Sequence, residues 1–285
     1  MPAGPRSPAR APTGVSREFL LTAITCDPAL VRAADAAGVD RVGIDIERIG
    51  KSQRQGHIPN ARLSDHQLEQ LATVAANVTR AEIFVRLNPL HEGLRAEIDR
   101  ALALGAQALM LPYFSGPHEV ACFVEMVGGR GSPILLLETA AAVVRLRDIV
   151  AVKGLTEIVV GLNDLHLSLG LPNHFEVVGS DLMTMIADRV RGAGLRFGFG
   201  GLARIDDSTL PVPPDLVCAQ YPRLGATSAW LSRSFFRDLG PAGIASAVHA
   251  LRERLGYWAE QPASALLDQR EKLAVVLRRL GDRRL

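Results

Sequence analysis

PILLLETAAAVVRLRDIVAVKGLTEIVVGLNDLHLSLG, residues 133–170, decides the fold. It opens on an apolar run that stops at a carboxylate, Glu138. An amphipathic segment follows over 139–151, then a second apolar run over 156–161 and a second acid, Asp164. The apolar runs are continuous rather than alternating. Such strands are covered on both faces, as in a parallel sheet under helices.

The same unit recurs in both directions. Strands are expected at 19–25, 41–45, 82–87, 108–112, 195–199 and 226–231 as well. Helices are expected at 28–37, 64–77, 93–104, 117–127, 181–193, 213–221 and 241–257. Pro28 and Pro117 stand where a first helical turn accepts proline. Ser64 and Gln67 have the spacing of a capping box. About eight βα units predict an α/β fold, a (β/α)8 TIM barrel of roughly 250 residues. An open doubly wound sheet is the alternative. No linker or composition shift splits the chain. The expected organisation is a disordered tail over 1–16, a barrel over 17–260 and an extra C-terminal helix over 261–285.

Thirty-two Lys and Arg face 30 Asp and Glu, a net charge of +2, which excludes nucleic-acid binding through bulk charge. Hydrophobic residues make up 48% of the 285, enough for a large core. Cys26, Cys122 and Cys218 are too few for a disulfide scaffold and too scattered for a zinc site. A reducing cytoplasm is the simplest compartment. No apolar run approaches the roughly 18–20 residues of a membrane span.

In a barrel of this kind the chemistry sits at the C-terminal ends of the strands. Those ends carry Asp45, Glu47 and Arg48 after the second strand, and Arg86 and Asn88 after the third. Glu138 and Thr139 follow the fifth, Asn163 and Asp164 the sixth, Gly200 and Gly201 the seventh, Arg233 and Ser234 the eighth. A charge at Glu138 costs several kcal/mol to bury unless something neutralises it. A divalent cation shared with Asp164 would do so, and oxygen ligands suit Mg²⁺ or Mn²⁺ among the divalent metals. Alternatively, each acid caps the following helix or pairs with an arginine. GFGGLA, 198–203, formally matches a dinucleotide fingerprint but follows a late strand. Its glycines suit close backbone approach to a substrate carboxylate or phosphate, with Arg204 beside them.

LLLETAAAV (135–143) and GLNDLHLSLG (161–170) resemble the paired metal-ligand motifs of the HpcH/HpaI aldolase and citrate lyase β-subunit family. FVRLNPL (84–90) resembles its strand-three arginine segment, and VGIDIE (42–47) its strand-two acidic segment, all in barrel order. The resemblance implies a metal-dependent enzyme that makes or breaks a C–C bond next to a 2-keto acid, pyruvate- or oxaloacetate-like, or next to an acyl thioester. Glu138 and Asp164 would hold the metal. Arg86 would steady the enolate charge on the keto oxygen, and Asp45 and Glu47 would form the acidic pair. The chain departs from the aldolase branch at Arg48, where a histidine is usual. His57 in the following polar segment, Glu47 or a metal-bound hydroxide is then the base, and Arg48 grips an anionic substrate. A catalytically silent barrel serving as a binding subunit is the reading from another class.

Beyond the last unit, Leu266, Leu273, Leu277 and Leu280 recur at helical spacing. Relatives use this helix across a subunit interface, so the resemblance implies a homo-oligomer, a trimer or hexamer, with these leucines in the interface.

Overall fold

The computed structural model describes residues 19–51 and 65–282. Its strands are β1 (Leu20–Ile24), β2 (Arg41–Asp45), β3 (Glu82–Arg86), β4 (Ala108–Leu111), β5 (Ser132–Leu137), β6 (Glu157–Val160), β7 (Arg196–Leu202) and β8 (Ser228–Leu231). Each pairs in parallel with the next, and β1 closes on β8, so the sheet is a closed barrel. The tail over 1–16, Ser64 of the expected capping box and His57 lie outside the described residues. No described helix is long and apolar enough to cross a membrane.

The continuous apolar runs have the expected cause. Phe84, Met110, Ile134, Leu136 and Val159 fill the barrel interior. Their alternating neighbours Val85, Leu109, Leu135 and Ile158 pack under the helices. β2 and β3 break this pattern on their inward rows. Arg41 is level with Glu82, Gly43 with Phe84, and Asp45 with Arg86. Each row therefore carries a charge at both ends and a glycine or phenylalanine between. No side chain fits at Gly43, where a Cβ would lie 1.7 Å from the Phe84 carbonyl oxygen.

At the N-terminal end, Arg41 forms a buried hub. Its Nε lies 2.6 Å from Glu82 and its Nη1 2.5 Å from Glu157 on the far side of the barrel. Ser228 Oγ donates to the second Glu157 oxygen at 2.5 Å. The hub ties β2, β3, β6 and β8 together through their side chains.

Helices depart from expectation in detail. The 64–77 segment forms a 3-10 turn, Leu68–Gln70, and a short helix, Leu71–Ala75. The 139–151 segment breaks at Arg145 into Ala140–Val144 and Leu146–Ile149, after an N-cap in which Thr139 Oγ1 accepts from Ala142 N at 3.0 Å. Two helices not foreseen, Leu162–Ser168 and His174–Gly179, fill the connection between β6 and Asp181–Gly192. The 213–221 segment is split into Pro214–Cys218 and Gln220–Arg223.

The trailing helix, Ala263–Asp282, packs on its own barrel. Leu266, Leu273 and Leu277 are buried in the chain's own core, and Leu280 packs against it. The cover comes from His174–Gly179, Pro214–Cys218 and Gln220–Arg223. The apolar stripe needs no neighbouring subunit to leave water.

Candidate active site

The C-terminal ends of the strands open into a cavity of about 680 Å³. The register that sets Arg41 beside Glu82 also sets Asp45 beside Arg86, four residues further up. Arg86 Nε and Nη2 reach the two Asp45 oxygens at 2.8 and 2.5 Å, a bidentate fork. Its Nη1 lies 3.4 Å from Glu47, and its guanidinium carbon 5.3 Å from the Trp230 ring centre. Lys51 Nζ completes the cluster, 2.9 Å from Glu47 and 3.3 Å from Asp45. Glu47 and Lys51 are buried, at 0% and 2% exposure, although the segment around them is polar.

Burial alone would raise the Asp45 carboxyl, but the Arg86 guanidinium and Lys51 outweigh it and hold it well below the usual carboxylate range. Burial would likewise lower Arg86. The Asp45, Glu47 and Glu138 charges overcome that and keep it firmly protonated.

Glu138 follows the last residue of β5 and is buried. Its Oε1 accepts from Tyr113 N at 3.0 Å. Tyr113 holds that amide in place with a φ of +48°, a left-handed conformation unusual for a bulky residue. Burial, Glu47 and Asp164 together push the Glu138 carboxyl well above its ordinary range, against the smaller pull of Arg86. Asp164 lies in the first turn of Leu162–Ser168 and is also buried. Between the two acids stands Gly161, with an unremarkable φ of −85°. A Cβ there would meet Glu138 Oε2 at 2.5 Å, so glycine is required for space and not for conformation.

These residues fit a divalent cation. Glu138 and Asp164 offer hard oxygens from adjacent strand ends, Gly161 keeps the space around Glu138 open, and the crowded Glu138 charge calls for a counter-ion. Among the described residues no group of three or more His, Cys, Asp or Glu side chains could hold a metal unaided. Water and substrate would complete the shell, as is usual for Mg²⁺.

Of the residues singled out in the sequence, Asp45, Arg86, Glu138, Asp164, Gly200 and Gly201 line this one cavity. Glu47 reaches it through Arg86 and Lys51. Arg48 and Arg204 are not in the lining. Arg48 is exposed and donates to the Asp65 and His66 carbonyls at 2.9 and 3.0 Å. Arg204 donates to the Arg237 carbonyl at 3.1 Å and pairs with Asp206 at 3.3 Å. Both arginines thus brace loops.

Lys51, His66, His174 and Trp230 line the cavity without having been assigned a role there. The Glu47-to-Lys51 spacing of four was a usable signal for Lys51. His66 Nδ1 accepts from Asp45 N at 3.3 Å, which ties it to the acidic strand end, and no motif marked it.

The model of the HpcH/HpaI aldolase/citrate lyase family matches residues 20–202, well over half of the chain. No curated protein matches by sequence. Among solved structures, an HpcH/HpaI aldolase/citrate lyase family protein from Burkholderia cenocepacia J2315 is similar. It has 19% identity and a TM-score of 0.60, covering 83% of this chain and 94% of its own. The citrate synthase SbnG is 21% identical with a TM-score of 0.57, over 82% and 94%. A citrate lyase β subunit from M. tuberculosis, solved with oxaloacetate and magnesium, is 17% identical with a TM-score of 0.54, over 84% and 98%. At these identities the likeness is one of fold. The barrel, the order of its acidic and basic strand ends and the family match agree, and the chain belongs to the HpcH/HpaI aldolase/citrate lyase family.

Proposed function

We propose that the protein is a divalent-metal-dependent carbon–carbon lyase of the aldolase type, acting on a 2-keto acid such as pyruvate or oxaloacetate, or on its aldol adduct. The observation that carries this reading is the pair Glu138 and Asp164 at adjacent strand ends, in one cavity with Arg86. The similar citrate lyase β subunit solved with oxaloacetate and magnesium supports the substrate class.

Glu138 and Asp164 would hold Mg²⁺ or Mn²⁺, which supplies a Lewis acid toward the carboxylate and keto oxygens of the substrate. Arg86 works beside it. The pair with Asp45 takes up two of its five N–H groups and fixes the plane of the guanidinium. Its terminal nitrogens can then donate to the keto oxygen where negative charge develops. Asp45 and Lys51 keep Arg86 and Glu47 in place without entering the reaction. Proton transfer falls to the β2 side of the cavity, where His66 lines the wall and His57 belongs to the same connection.

The test is a Mn²⁺ titration by calorimetry beside NMR of pyruvate in D₂O. The parent should bind the metal and exchange the pyruvate methyl protons only when it is present. Glu138→Gln and Asp164→Asn should lose both while keeping the parent's circular dichroism. Two variants that bind Mn²⁺ as tightly as the parent would refute the metal site.

A further inference from the structure

The cavity is divided by strand. On one side the charged Asp45, Lys51, Asp65, Arg86, Glu138 and Asp164 end or follow β2, β3, β5 and β6. The opposite wall is apolar. Its body is formed by Phe175 after β6, Leu210, Val212 and Val217 after β7, and Leu231 and Phe236 at β8; the polar Ser232, Ser234 and the exposed Arg233 and Arg237 stand only at its β8 edge. We infer that this wall is the subsite for the second reactant, and that this reactant is an aldehyde with an apolar aliphatic or aromatic body. The inference rests on the keto-acid reading of the charged side given above.

Three observations support it. The first is room. Pyruvate has six heavy atoms and needs no more than roughly 180 Å³, even at the ~30 Å³ that a water molecule occupies in the liquid. Most of the 680 Å³ is then left for something else. The second is burial. Val212 and Val217 are 4% and 2% exposed, so the wall is continuous with the core and is no surface patch. The third is stiffness. Residues 210–214 read LPVPP, and three prolines in five residues fix the wall before anything binds.

A hydroxylated aldehyde set against Leu210, Val212 and Val217 would leave its hydroxyls facing side chains that cannot bond them. An apolar one gains about fourfold in kcat/KM for each methylene it buries. In the addition direction, a bond forms between C3 of the keto acid and the aldehyde carbon. C3 gives up one proton, the aldehyde oxygen takes one up, and nothing is oxidised or reduced.

The experiment uses the full chain with Mn²⁺. Pyruvate exchange in D₂O is measured first, then aldol addition of pyruvate to hexanal and to glycolaldehyde, with acetyl-CoA as a third acceptor. Hexanal should exceed glycolaldehyde in kcat/KM by at least about tenfold. That ratio should narrow toward one in Val212→Asn and in the half-buried Leu210→Asn, the second being the safer variant for folding. Exchange with no preference for hexanal, an unchanged ratio in Leu210→Asn, or a preference for acetyl-CoA would overturn the apolar-aldehyde subsite alone. Absence of exchange would overturn the keto-acid reading and the subsite with it.

Discussion

Replacing Gly161 by alanine tests the metal site through a residue that carries no charge. The added Cβ would lie 2.5 Å from Glu138 Oε2, 2.9 Å from Glu138 Cβ and 3.0 Å from Leu136 Cγ. Ordinary contact begins near 3.4 Å, so the carboxylate oxygen must retreat by about 0.9 Å. Mg²⁺ demands near-ideal geometry at ~2.0–2.1 Å, so that retreat is a large fraction of a bond. Misplacing a ligand's support typically lowers affinity ~10–100-fold. We expect a loss of at least tenfold, about 1.4 kcal/mol. The strain itself is worth ~1–3 kcal/mol of stability. Because alanine accepts the φ of −85°, stiffening the unfolded chain returns ~0.4–1 kcal/mol of it. The net stability loss, ~0–2.6 kcal/mol, is of the same order as the affinity loss, so the two are read separately. The assay is Mn²⁺ calorimetry with thermal melts, beside Gly256→Ala, where a Cβ would meet nothing within 4 Å. A Gly161→Ala protein that binds Mn²⁺ within twofold of the parent would refute the reasoning.

Four further outcomes follow from the same geometry. Arg86→Lys keeps the charge but loses the fork, so metal-dependent turnover should drop by at least about tenfold with metal affinity intact; an unchanged kcat would place Arg86 outside the chemistry. Arg41→Met strands the buried Glu157 and should cost ~3–5 kcal/mol in urea unfolding, most of it recovered in Arg41→Met/Glu157→Gln; a loss below ~1 kcal/mol would contradict the hub. Burial, with His166 adding, lowers His174 to about 4. The unfolded ring near 6.5 binds more protons than the folded one in between, so stability should be full above pH 6.5 and fall as pH drops toward 4. The melting temperature of His174→Phe should fall less steeply over that window, and an equally steep fall would exclude the ring. A chain ending at residue 261 uncovers the faces that Leu266, Leu273 and Leu277 pack on. It should melt several degrees lower with its oligomeric state unchanged, and a loss of subunits in light scattering would instead return the helix to an interface.

Much of the fold could be read because its signals are local. A continuous apolar run, its length and the acid that follows it are all present in PILLLE and TEIVVGLND before any contact is known. That is why Glu138 and Asp164 could be placed at the mouth of the barrel from the sequence, where both line the cavity. What could not be read depended on distant partners. The Leu266, Leu273 and Leu277 stripe states that something covers it, but whether the cover is Gln220–Arg223 of the same chain or another subunit depends on where the chain has travelled. For Lys51 the spacing of four hints at Glu47, but nothing local says that the side chain turns inward to Asp45 as well. The break at Arg145 is also illegible, because no glycine or proline marks it. His66 carries no motif, and its place beside Asp45 is fixed by the tertiary fold.

The Arg41 hub has a consequence for how such a barrel can be divided. Arg41 and Glu82 belong to the first four strands, Glu157 and Ser228 to the last four. Cut after β4, the first half would bury a guanidinium facing one carboxylate fewer, and the second half a carboxylate with only a hydroxyl on it. The first half keeps its Arg41–Glu82 pair, but the second could not bury that end without an unmatched charge on Glu157. A split protein should recover its fold only when both fragments are mixed, and complementation should weaken when Arg41 or Glu157 alone is neutralised.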